Sequence, residues 1–129
     1  MNDRGGAAVL LAAVAGVALL LAAALGAAGS YLRARVEAVA AADAAALAAA
    51  PVTFLPFGAT GGPAEEAARF AAVNGARLLS CRCPPDPSWE PRTVTVQVSR
   101  EASLRPAGSV TISATGRAEF LPALLLTGE

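Results

Sequence analysis

The chain has 129 residues, 55% of them hydrophobic, and a formal net charge of zero from ten basic and ten acidic side chains, which suggests one small domain. It has no basic run, so nucleic acid is not an expected partner. Every basic residue is Arg; the missing His and Lys remove the commonest general base, the commonest metal ligand and any Schiff-base amine.

Residues 1–4 form a short tail with Asp3 and Arg4. Residues 5–32 then carry no charge at all. About 20 apolar residues suffice to cross the roughly 30 Å hydrocarbon core, so this run predicts a transmembrane helix. Val9, Leu10, Leu11, Val14, Val17, Leu19, Leu20, Leu21, Leu25 and Leu32 drive its insertion. At about 0.3–0.6 kcal/mol each they supply roughly 3–6 kcal/mol. The competing reading is a cleaved signal peptide, with Ala27, Ala28 and Gly29 at the cut. A signal core is only about 7–15 residues long, which favours a retained anchor. Ala8, Ala12 and Gly16 fall on one line of small residues, and Ala22, Gly26 and Ser30 on another. Such lines let helices approach closely in lipid, so Ala12, Gly16 and Gly26 are candidate helix-packing positions.

Residues 33–50 are an Ala-rich extension without Gly or Pro, and Ala is the best helix former. Leu32, Val36, Val39 and Leu47, helped by Ala40 and Ala46, mark a partial apolar stripe. Arg33, Arg35 and Glu37 lie around the other side. Pro51 is the expected stop. One continuous helix is expected; the alternative is a break near Gly26 and Gly29.

Residues 51–62, with two Pro and three Gly, read as a loop that tucks Phe54, Leu55 and Phe57 under the head. The head itself is placed at 63–129. Residues 63–75 read as a helix: Pro63 suits the first position, Glu65 and Glu66 suit the N-terminal end, and Asn74-Gly75 is a stop. Strands are expected at 77–83, 93–100 and 109–120. Val94, Val96 and Val98, then Val110, Ile112 and Ala114, alternate with polar residues in the last two. The fold class is therefore α+β: a long N-terminal helix, then a small head of one helix and a three-stranded antiparallel sheet with a helix as its cover. A core of this size supplies little stability alone, so a partner subunit is expected to help. The final PALLLTG is apolar, suited to docking on the head or on a neighbour.

Cys81 and Cys83 point to the same face if both lie on a strand. Three readings stand: buried thiols, a mutual disulfide, or a bond or metal contact to another chain. No catalytic constellation assembles. Ser80, Ser88 and Ser99 have no His to activate them. Gly58, Gly61 and Gly62 lack the Lys of a phosphate loop. The expectation is no enzyme, no cofactor, no metal site and no small-molecule substrate.

Several of these features recur together in one family. They are the tail at Asp3-Arg4-Gly5, the hydrophobic helix, the Arg-bearing exit from Tyr31 to Arg35, the AADAALAAA run, and NGARL with the nearby Cys81. In this order the chain resembles the TadE/TadG-like proteins of tight-adherence (Flp-type) pilus systems. It is most similar to the small TadE-like proteins encoded beside secretion genes in high-GC Gram-positive bacteria. The resemblance covers nearly the whole chain. It implies a pilin-like helix and a non-catalytic pseudopilin or minor-pilin role, with the N-terminus in the cytoplasm and the head outside. It implies partners among pilus or secretion subunits. Relatives cut by a prepilin peptidase carry Glu at the fifth position after a Gly; here no acid occurs between Arg4 and Glu37. Arg33 and Arg35 after the span, against Arg4 before it, lean the other way on charge alone, and the family orientation is taken. The expected place is the cell membrane, crossed once, with membrane lipid as a partner. The alternative function is an anchored binding module of the cell envelope, using Phe54, Phe57 and Trp89 as its contact surface. A third is a secreted head freed by signal cleavage.

Overall fold

The computed structural model describes residues 3–55, 59 and 61–127. Its elements are α1 (Asp3–Val52), α2 (Pro63–Val73), β1 (Arg77–Arg82), β2 (Arg92–Leu104), β3 (Gly108–Phe120) and a short 3-10 helix (Pro122–Leu126). The fold is α+β, as the sequence suggests.

α1 is unbroken for 50 residues, about 75 Å at 1.5 Å per residue. No break occurs at Gly26 or Gly29. Ser30 instead donates its hydroxyl to the Gly26 carbonyl at 3.0 Å, within the helix. Pro51 does not stop the helix at once. Its ring removes one N–H in the last turn, and the helix closes one residue later at Val52. The first half of α1 is uncovered all round, and it is long and apolar enough to cross a membrane.

The second half is the centre of the head. Ala34, Ala38, Ala41, Ala42, Ala45, Ala46, Ala49 and Ala50 are all buried. This corrects the expected apolar stripe. Leu32, Val36, Val39 and Leu47 face outward, and Val36 is 69% exposed. Packing distance is the reason. β3 crosses α1 so closely that a Cβ on Gly116 would overlap the Ala42 carbonyl. Only small side chains fit between backbones that near. The head therefore includes the second half of α1 as well as residues 63–127.

The sheet order is β1-β2-β3, all antiparallel. Val94, Val96 and Val98 of β2 are fully buried against α1, with Ile112, Ala114 and Ala118 of β3 beside them. β2 runs four residues past its expected end at Arg100, because residues 101–104 keep pairing with β3 down to Leu104 opposite Gly108. A bulge between Leu78 and Ser80 leaves Leu79 exposed and brings both Leu78 and Cys81 to the core side.

α2 begins and ends as its sequence dictates. The Gly62 N–H donates to the Glu65 carboxylate, and Pro63 opens the helix. At its end Gly75 takes a positive φ of 71°; the N–H groups of Gly75 and Ala76 donate to the carbonyls of Ala72 and Ala71. That pair of bonds is the Schellman stop, which favours Gly at this position. Glu66, buried beneath α2, pairs with Arg69.

Candidate functional site

Three places on the molecule carry the residues singled out above. The first is the bare half of α1. Ala12, Gly16 and Gly26 lie on its exposed surface, and among the described residues nothing beyond the helix's own adjacent backbone lies within 4 Å of a Cβ built at either glycine. At about 100° per residue the three fall within roughly 80° of one another. They share one face, open to a neighbouring helix. The outward residues Leu32, Val36, Val39 and Leu47 extend the apolar surface of α1 beyond residue 33.

The second place is the end of the head farthest from that bare half. There Phe54 leaves α1 and packs edge-on against Trp89, with ring centroids 4.9 Å apart, and against Phe120 at 6.3 Å. Edge-to-face aromatic pairs of this kind contribute about 0.5–1.5 kcal/mol beyond their buried area. Trp89 remains 52% exposed. Phe57 lies outside the described residues. Leu55, Leu121, Leu124, Leu125 and Leu126 are exposed.

Arg92 organises this end, and the sequence reading missed it. Its guanidinium donates to the carbonyls of Asp86, Ser88 and Glu90, stands 3.7 Å from the Asp86 carboxylate, and lies 5.8 Å over the Phe54 ring. One half-buried Arg thus satisfies three carbonyls of the 84–91 loop. The Asp86 N–H reaches the Thr53 carbonyl at 2.7 Å, tying the same loop to the end of α1. The Ser88 N–H, donating to Asp86 Oδ1 at 2.9 Å, holds the Asp86 carboxyl below its ordinary pKa, and Arg92 adds to the effect. The signal was present: an Arg opens β2 straight after a loop of Pro, Asp and Ser.

The third place is the side of the head nearest the bare half. Arg100 on β2 pairs with Glu37 on α1 at 2.8 Å, and Arg33 pairs with the same carboxylate at 2.9 Å. The hydrogen bond from Arg33, then the charge of Arg100, lowers the Glu37 pKa. Arg100 also donates to the Asn74 carbonyl at 3.0 Å. It therefore joins α1, the α2 stop and β2.

Cys81 and Cys83 form a disulfide with each other. The buried-thiol reading and the bond to another chain are both replaced. Strand β1 ends at Arg82, so Cys83 sits just past it. There its chain can turn its sulfur back to Cys81, which the bulge has placed on the core side. Among the described residues no three His, Cys, Asp or Glu side chains converge as metal ligands would. No family model, no curated protein and no solved structure matches this chain.

Proposed function

We propose that the protein is a membrane-anchored, non-catalytic subunit that assists assembly of a Tad (Flp)-type pilus or a related secretion system. One observation carries the reading. A single rigid helix is bare and apolar along its first half, and along its second half it is the core of a small α+β head. This architecture ties the orientation of the head directly to the anchor, with no flexible linker between them. It suits a part that is positioned by neighbouring helices rather than one that turns over a substrate.

Two further features support it. The small-residue face at Ala12, Gly16 and Gly26 offers close approach to another transmembrane helix. The outward residues Val36, Val39 and Leu47 give the second half of α1 an apolar surface of its own, on a different side of the helix. The Cys81–Cys83 disulfide belongs to an oxidising compartment and favours a head outside the cytoplasm.

Crosslinking tests the assignment. A photo-reactive residue at Val36, on the outward face of α1, should capture pilus or secretion subunits in cells. Deletion of the gene should reduce surface filaments or secretion. Normal filaments and secretion in the deletion strain would remove the assembly role.

A second reading, an anchored binding module, is favoured by the exposed Trp89 and the leucines at the far end of the head. A photo-reactive residue at Trp89 separates the two: capture of envelope material there, with none at Val36, selects the binding module.

A further inference from the structure

The β2–β3 hairpin points back down α1, toward its bare half. Three contacts set the direction. Gly116 of β3 lies on Ala42 of α1. Arg100 of β2 pairs with Glu37. Ala102 and Ser103 share one cleft with Ser30, Arg33 and Ala34. Each step toward the hairpin turn is thus a step toward the N-terminus of α1. The turn at 105–107 lies beyond Ser103. The four strand residues from Val96, opposite Gly116, to Arg100 cover the five helical residues from Ala42 to Glu37, so the inclined strand advances only about 2 Å along α1 per residue and Pro106 lies roughly 6 Å beyond Ser103, or about four helical residues. That places the turn level with about residues 26–30.

Those residues belong to the uncharged run 5–32. At 1.5 Å per residue this run is about 42 Å long, against a hydrocarbon core of about 30 Å. Some of it, at one end or the other, must therefore lie outside the hydrocarbon, or the helix must tilt to bury the whole run. Tilting would drag the hairpin end into the lipid tails, where the free backbone groups of an edge strand and a turn find no partners. The hairpin itself thus decides which end of the run stays out. The turn is chemically suited to the layer it then meets. It contains Arg105, Pro106 and Ala107, all exposed, with Leu104 half-buried behind them. Among the described residues Arg35 and Arg105 form no ion pair, whereas Arg33 and Arg100 share Glu37. Four Arg (33, 35, 100, 105) against Glu37 and Glu101 leave this end of the head at +2.

We infer that the β2–β3 turn rests in the phospholipid headgroup layer, with Arg105 and Arg35 on lipid phosphates, as a second membrane contact that fixes the tilt of the head. This rests on the reading that α1 spans the membrane. The partner is an anionic lipid surface, recognised by arginine–phosphate pairing.

The test uses the full chain, its Cys81–Cys83 bond intact, in vesicles of phosphatidylcholine and phosphatidylglycerol. A fluorophore is attached at Ala107→Cys in one sample and at Leu20→Cys in another. Lipids carrying a quencher near the headgroup or deep in the tails are then compared. The expected result at position 107 is quenching several-fold stronger by the shallow quencher than by the deep one, weakened in pure phosphatidylcholine and by Arg105→Gln. At position 20 the deep quencher should dominate. Trp89, at the opposite end of the head, should respond to neither. A label at 107 that is unquenched while position 20 is quenched overturns the headgroup contact and leaves the anchor standing. Quenching at 107 that is indifferent to phosphatidylglycerol and to Arg105→Gln overturns the arginine contact with an anionic lipid surface. An unquenched label at position 20 removes the anchor itself, and this inference with it.

Discussion

The two halves of α1 are built from much the same residues and use them in opposite ways. In residues 5–32 the alanines and glycines are merely the gaps between Leu and Val side chains, and every kind of residue is exposed or nearly so. In residues 33–52 the alanines are the buried side, and Leu and Val are the exposed one. The second half gains little hydrophobic area per residue. It gains proximity instead, with the sheet backbone laid against the helix backbone at Gly116 and Ala42. The larger apolar burial comes from the sheet, where Val94, Val96 and Val98 fill the space around the alanines. One helix thus has an uncovered half and a packed half, and a substitution is expected to have different consequences in each.

The largest effect expected is at the centre of the bare half. Leu20→Arg should oppose membrane insertion by about 3 kcal/mol, read as loss of the protein from alkali-washed membranes. Val36→Arg, on an exposed position of the second half, should leave insertion and stability within about 0.5 kcal/mol of the parent. Equal losses at both positions would erase the distinction between the halves.

Next comes the close approach. Gly116→Val should destabilise the head by about 2–3 kcal/mol or more, because the added side chain must displace the Ala42 backbone. Denaturant unfolding in detergent measures it. Leu47→Ala, 64% exposed on the same helix, should change the midpoint hardly at all. A harmless Gly116→Val would mean that the sheet can lift off α1.

Arg92→Met is expected to cost about 1–2 kcal/mol, since three loop carbonyls lose their donor. Trp89 fluorescence should shift toward that of a water-exposed indole as the 84–91 loop loosens. Unchanged emission would show that the Phe54 contact alone holds the loop.

The smallest effect concerns pH. The Glu37 pKa is lowered from its ordinary value of 4.5 by Arg33 and Arg100. A lowered carboxylate pKa means the pairing contributes fully above about pH 4.5 and is lost as pH falls through the lowered value. Amide protection in residues 100–104, taken relative to the intrinsic exchange rate at each pH, should fall in that acid window and stay flat above it. Glu37→Gln should abolish the dependence.

Much of this was legible along the chain. The uncharged run, the Ala-rich continuation, Pro63, the Asn74-Gly75 stop and the alternation of Val94, Val96 and Val98 each act through local rules. Those rules are hydrophobic length, propensity, cap geometry and the two-residue period. The face of α1 that meets the sheet was not legible. Reading Leu32, Val36, Val39 and Leu47 as the buried stripe assumed that the largest apolar residues go inside. Gly116 held the contrary signal, since a glycine inside a strand marks a close backbone approach. Arg92 left only a weak signal, an Arg straight after a loop of Pro, Asp and Ser, because the carbonyls it holds carry no sequence identity; the Glu37–Arg100 pair left none, because its partners lie on different elements.

The sequence alone determined that a long apolar helix precedes a small α+β unit, because helix length, caps and strand period depend only on near neighbours. The tertiary structure alone decided that the second half of that helix belongs inside the unit and presents its alanines to it. It also decided that Cys81 meets Cys83 across the end of a bulged strand and that the β2–β3 turn lies beside the last turns of the apolar run. Each of these depends on how closely two backbones approach, a distance set jointly by residues far apart in the chain.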